Sequence, residues 1–237
     1  MKKKHLTLYA LGIAFCLSSL VLLSGCLKGN DSPNGPQNGV VSILQASPGA
    51  PPMYLFANEN KMTEEPLKYL VRGPLTPSLG NYVFSVVNFN SGDTLIRHAD
   101  SVKPAYYSLI IYDTASAMKM MYFADQFDNA SDPGGSAYIR FLQLSPDAEP
   151  VDVYFNEEKT YSHRRFADNV ANPSLAEFTP ITAGKYSFTA LNAQGDTLGS
   201  LSDITLPGQA VFTLFLRGLA SHTQDTLGLK LDIMNNY

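Results

Sequence analysis

Apolar and polar residues alternate with a period of two along much of this 237-residue chain. In Tyr186-Ser187-Phe188-Thr189-Ala190-Leu191, apolar side chains alternate with hydroxyls, the pattern of a strand with one buried face. Tyr82, Phe84 and Val86 repeat that face earlier in the chain, and so do Tyr107, Leu109, Ile111 and Phe212, Leu214, Leu216. Gly92-Asp93 and Gly195-Asp196 are turn signals of the kind that closes a hairpin. From Val40 onward no stretch keeps a 3.6-residue apolar period for three turns without meeting proline or glycine, so helices are minor elements at most.

The pattern is written twice. LQASPGAPPMYLFANENK, from Leu44 to Lys61, returns as LQLSPDAEPVDVYFNEEK, from Leu142 to Lys159, at a constant offset (145 − 47 = 98). Two more blocks match in the same order: NYVFSVVNFNSGDTL from Asn81 with KYSFTALNAQGDTL from Lys185, and YSLIIYD from Tyr107 with FTLFLRG from Phe212. Three ordered matches make a tandem duplication. About six or seven short strands per copy predict an all-β protein of two tandem Ig-like β-sandwiches. A single larger sandwich or barrel built from both halves is the alternative. The first copy spans 40–125, a polar, turn-rich linker 126–135, and the second copy 136–237. Within each copy the Ser-Pro motif predicts a strand, a corner and a second strand. Pro146 has no N–H to offer a ladder, and Asp147 can accept from its own turn.

The N-terminus changes the picture. Met1-Lys2-Lys3-Lys4-His5 precedes an apolar run, Leu6 to Leu23, which closes on Leu23-Ser24-Gly25-Cys26. This resembles the lipobox of bacterial lipoproteins, which implies cleavage after residue 25 and a lipid on Cys26. Cys16 then leaves with the signal, and the mature chain holds no thiol for a disulfide, zinc site or nucleophile. Cleavage removes three lysines and no acids, taking the formal charge from −4 to −7. Such a chain is a poor partner for nucleic acid. Residues 26–39, rich in glycine, asparagine and proline, read as a flexible tether. Leu27 after the cysteine is compatible with sorting to the outer membrane, so the expected place is the cell envelope.

The second copy carries a further resemblance. Ile139-Arg140-Phe141-Leu142-Gln143-Leu144-Ser145-Pro146-Asp147-Ala148-Glu149-Pro150-Val151-Asp152-Val153-Tyr154, with Ala183-Gly184-Lys185-Tyr186 later, is similar to a bacterial envelope domain of unknown function, numbered four-three-nine-seven. The resemblance covers both copies, from residue 40 to the end. The family's usual histidine is Gln143 here and Gln45 in the first copy. The first copy also has Ser42, Gly49 and Tyr54 where the second has Arg140, Asp147 and Asp152. If the family uses those polar residues for a ligand, the second copy is the better candidate.

Little in the chain points to catalysis. His98, His163 and His222 form no metal-ligand spacing, and there is no nucleophile elbow, phosphate loop or cofactor motif. Tyr161, His163, Arg164 and Arg165 make one basic, aromatic spot in an acidic protein, a candidate ligand site for a carboxylate or acidic sugar. A strand edge with solvated arginines is the plainer reading. Asp125, Asp128, Asn129 and Asp132 are hard oxygen donors at the linker, in no established calcium spacing. Five Asp-hydroxyl-apolar triplets, centred on Thr94, Ser101, Thr114, Thr197 and Thr226, are similar to an O-glycosylation acceptor used on exported proteins by some bacteria. The expected function is therefore non-catalytic binding, adhesion or structure, with the membrane through the lipid and a glycan or envelope protein as partner. An envelope hydrolase or glycan-processing accessory is the competing class.

Overall fold

The structure, a computed structural model, describes residues 36–127, 135–166, 168–222 and 226–237. Cys26 and its apolar leader, most of the tether, and Asp128, Asn129 and Asp132 of the linker lie outside the described residues. Among the described residues, no helix is long and apolar enough to cross a membrane.

Each copy folds into two four-stranded sheets. In the first, the outer sheet runs β3 (Asn60–Lys61), β2 (Met53–Ala57), β5 (Gly80–Asn88), β6 (Thr94–Val102). The inner sheet runs β4 (Arg72–Leu75), β1 (Val40–Gln45), β7 (Tyr106–Tyr112), β8 (Lys119–Ala124). The second copy repeats both orders. Its outer sheet is β11 (Glu158–Arg164), β10 (Val151–Phe155), β13 (Gly184–Leu191), β14 (Thr197–Leu206). Its inner sheet is β12 (Thr179–Thr182), β9 (Ser136–Gln143), β15 (Val211–Arg217), β16 (Lys230–Asn235). All pairings are antiparallel except β1 with β7 and β9 with β15. The expected hairpins β5–β6 and β13–β14 turn at Gly92 and Gly195, whose φ values of 76° and 87° suit glycine.

The recurring corner carries each chain from its inner sheet to its outer one. Gln45 accepts from the Ser47 N–H at 2.7 Å, and Gln143 accepts from the Ser145 N–H at 2.6 Å. Each corner thus satisfies a buried amide that proline next door could not pair. In the second copy Asp147 also accepts from the Ala220 and Ser221 N–H groups, at 2.7 and 3.0 Å, tying the corner to the loop after β15. Burial acts to raise the Asp147 pKa, but those N–H groups and the Ser221 and Ser145 side chains outweigh it, so the net shift is downward.

Each sandwich has its own core, centred on Phe84, Val86, Leu109 and Ile111 in the first and Phe141, Phe188, Leu214 and Leu216 in the second. A third core lies between the two inner sheets. Leu44, Ile110, Tyr112 and Met121 of the first copy meet Leu142, Leu144, Phe215 and Met234 of the second. The four sheets therefore stack as layers, and residues 35–237 form one compact unit. Full burial of each Leu, Ile or Phe is worth about 1.5–3 kcal/mol, so the copies are welded by apolar contact.

One charge sits in that weld. Arg140, fully buried, donates to Asp125 (2.8 Å), Ser108 Oγ (2.5 Å), Thr213 Oγ1 (2.9 Å) and the Ala176 carbonyl (3.3 Å). Its guanidinium lies between the rings of Phe123 and Phe178, 4.9 and 4.2 Å from their centroids. Asp125 accepts in addition from Ser108 Oγ and lies 2.6 Å from the Tyr237 hydroxyl. A buried ion pair is tolerable only when its remaining donors and acceptors are met, and here they are.

Candidate functional site

The four residues of the basic, aromatic spot part company. Tyr161 packs on Phe141 and Phe155, against the second core. Arg164 is buried and donates through one nitrogen to the Phe141 carbonyl (3.0 Å), the Leu175 carbonyl (2.8 Å) and Asn169 Oδ1 (3.3 Å). His163 and Arg165 stay exposed and meet each other at 2.5 Å. The division has a backbone cause. His163 sits at φ 52° and the β10–β11 ladder shifts register there, so the next side chain turns inward.

The family-like polar residues of the second copy also serve the scaffold. Arg140 joins the inner sheets and Asp147 holds a loop. Asp152 accepts from Lys159 (2.5 Å) and the His163 N–H (2.8 Å), which hold its pKa below the usual carboxylate range. Asp125 is spent on Arg140. Among the described residues, no group of three or more His, Cys, Asp or Glu could hold a metal. Thr94, Thr197 and Thr226 are exposed, Ser101 and Thr114 half-buried.

A concave feature that both copies build lies along β8. It is a cleft of about 600 Å³. One wall is His98 of β6. The other comes from the segment between β11 and β12: the short helix α1 (Asp168–Ala171), then a 3-10 turn (Pro173–Ala176), contributing Asn169, Val170 and Pro173. That wall exists because nineteen residues lie between Lys159 and Thr179, against ten between Lys61 and Arg72 in the first copy. Arg164 fixes it in place, and Asn169 helps by donating to the Gln143 carbonyl at 3.1 Å. The sequence thus marked this region, and in the structure Arg164 donates to the wall's Asn169 and Leu175.

The floor is β8 itself. Met120, Met121, Tyr122, Phe123 and Ala124 all line the cleft. Successive side chains of a strand point to opposite faces, so five consecutive lining residues mean that the cleft follows the strand's edge. Met120 and Tyr122 reach toward the first core, Met121 and Phe123 toward the shared one. Burial raises the Tyr122 and Tyr112 pKa values, keeping both hydroxyls protonated. At the rim, His98 Nε2 lies 3.5 Å from Asp100 without a hydrogen bond. Val170 is 58% exposed, the largest value among the exposed large apolar residues described. A second groove, of about 450 Å³ over Asn58, Val83, Ala99 and Asp100, is shallow and built by the first outer sheet alone.

The family model of the domain of unknown function DUF4397 matches this sequence twice, over residues 39–154 and 137–232. No curated protein matches it. Among solved structures, one similar chain is the family-CBM26 module CBMbc of Eubacterium rectale Amy13K, crystallised with maltoheptaose. It is 15% identical, with 83% of this chain and 95% of that one covered, at a TM-score of 0.26. A second, an α-glucan-binding streptococcal virulence factor, is 13% identical, with 77% and 93% covered, at 0.23. At those scores neither likeness assigns a ligand.

Proposed function

We propose, from the premise that this chain belongs to the DUF4397 family in two tandem copies, that it is a non-catalytic binding protein of the cell envelope. The cleft along β8 is its binding site, and Cys26 carries the lipid that holds it to the membrane. The observation that carries this reading is the cleft's construction. Its size suits ligand sites, its floor carries Met120, Met121, Tyr122 and Phe123 with polar groups such as His98, Asn169 and Glu177 around them, and both copies contribute to it. Methionine adapts its shape to a partner at low cost. Two acyl chains give stable anchoring where one does not, and the tether lets the folded unit stand off the surface. Modification of the exposed Thr94 and Thr197 is a further part of the reading, and intact-mass measurement of native protein tests it: a mass equal to the lipidated polypeptide removes it.

The binding test compares wild type with Val170→Lys, which puts a charge on the exposed rim without touching a core. Both are passed over a glycan array and over envelope extract. Ligand retention is expected to fall at least about tenfold in the variant. Equal retention by the two proteins would place binding elsewhere.

A further inference from the structure

Sheet edges are dangerous, because a row of unpaired N–H and C=O groups templates pairing with another chain, and proteins defend them. Seven of the eight edge strands among the described residues carry a defence. β3 has two residues; β4 holds Pro74 and β12 holds Pro180. β6 carries Arg97, His98 and Asp100. β11 is charged and irregular, and β14 shifts register near Asp203, at φ 59°. β16 carries Lys230 and Asp232. The eighth, β8, is the least defended: its single charge, Lys119, stands at its first residue and is paired with Asp113. After Lys119 it reads Met-Met-Tyr-Phe-Ala, pairs with β7 without a register shift, and has no other strand partner among the described residues.

Its free main-chain groups face the cleft. The Asp125 N–H donates to the Tyr106 carbonyl at the start of the β7–β8 ladder. Antiparallel bonds alternate from there, so Lys119, Met121 and Phe123 turn their main-chain groups to β7 while Met120, Tyr122 and Ala124 turn theirs outward. Resting on the reading of this cleft as the binding site, we propose that its ligand is an extended peptide segment of another protein, added to the first inner sheet as a strand on β8. Main-chain bonds to β8 would give affinity. Alternate side chains would drop on either side of the strand, toward His98 and Tyr122 or toward Phe123 and Val170. Glu177, exposed in the cleft's wall, favours a lysine or arginine in the peptide. A second copy of this chain is a poorer occupant: each β8 is recessed between walls, so two such edges cannot reach one another.

The test uses the mature chain and one defined probe, the amide of the peptide KTVTVTVTK. With probe bound, amide exchange at Met120, Tyr122 and Ala124 is expected to slow at least about tenfold. A probe N-methylated at alternate residues on its pairing edge should bind at least about tenfold more weakly. Met120→Pro, a substitution that edge strands tolerate, should weaken the unmodified probe similarly. No binding of the probe at about 1 mM overturns the proposal, as does binding indifferent to N-methylation and to Met120→Pro. Self-association that Met120→Pro abolishes would make a second copy the occupant and also overturn it. If Val170→Lys weakens retention of an envelope ligand while Met120→Pro does not, the cleft stands as the site and strand addition falls. If Val170→Lys changes nothing, the cleft itself is the wrong site.

Discussion

β8 and β16 are the same strand of an ancestral unit, and they have opposite fates. Both end an inner sheet, and their ladders put Met120 opposite Ile111 and Leu231 opposite Leu216. Against β16 lies β14, where a Cβ on Gly199 would stand 2.4 Å from the Leu231 amide nitrogen. Only glycine lets the outer strand press so closely on that edge. In the first copy the aligned residue is Ile96, whose side chain packs against the core. β16 also carries Asp232, paired with Arg72 (3.4 Å) and Arg217 (3.6 Å), where β8 has Met121. One edge is closed and charged, the other open and apolar. Duplication left the fold intact in both copies, and divergence at a few positions left one edge open.

The signature motif shows the same division of labour. Arg140 bonds across the interface, while its counterpart Ser42 is small and buried. The largest expected effect therefore comes from Arg140→Ala, which strands Asp125 uncompensated in the shared core. Denaturant unfolding should give a loss of about 3–5 kcal/mol, and a loss under about 1 kcal/mol would show that the weld does not depend on this pair. Gly199→Ala attacks the closed edge. Its Cβ has backbone, not a flexible side chain, in the way, so about 1–3 kcal/mol of destabilisation is expected. Exchange at the Leu231 amide should quicken as β14 lifts. If neither changes, the glycine does not close that edge.

Asp147→Ala is expected to act more weakly, by no more than about 1 kcal/mol, because the carboxylate is largely exposed. Its pH behaviour separates the copies. The folded pKa lies below the unfolded value, so its contribution is present above the unfolded pKa and is lost as pH falls through the folded one. The acid side of the stability profile should flatten slightly in Asp147→Ala. The first corner, with Gly49 at that place, has no such dependence to lose. An identical acid limb in variant and wild type would count against the Asp147 clasp.

Much of this fold could be read from residues. Alternation located the outer strands, Gly-Asp the hairpins, and the repeated Ser-Pro motif the corners. The four-layer stack was harder to see. Tyr107, Leu109 and Ile111 read as one buried face, but Ser108, Ile110 and Tyr112 between them are buried too, on the face that meets the other copy. Unbroken runs such as Ser108-Leu109-Ile110-Ile111-Tyr112 are the mark of strands covered on both sides, and period-two reading passes over them. The candidate basic spot is split by parity: a bulge at His163 turns Arg164 inward and leaves His163 and Arg165 exposed, and no spacing rule reveals a bulge. The cleft was legible only as a surplus of residues between Lys159 and Thr179, whose use depends on what it packs against.

The open edge itself can be tested without any ligand. Site-resolved amide exchange of the mature chain should find the Met120 N–H, facing the cleft, exchanging at least about a hundredfold faster than the Leu231 N–H beneath β14. Equal protection at the two positions would mean that both edges are covered, and would contradict the account of β8 as the strand left free to bind.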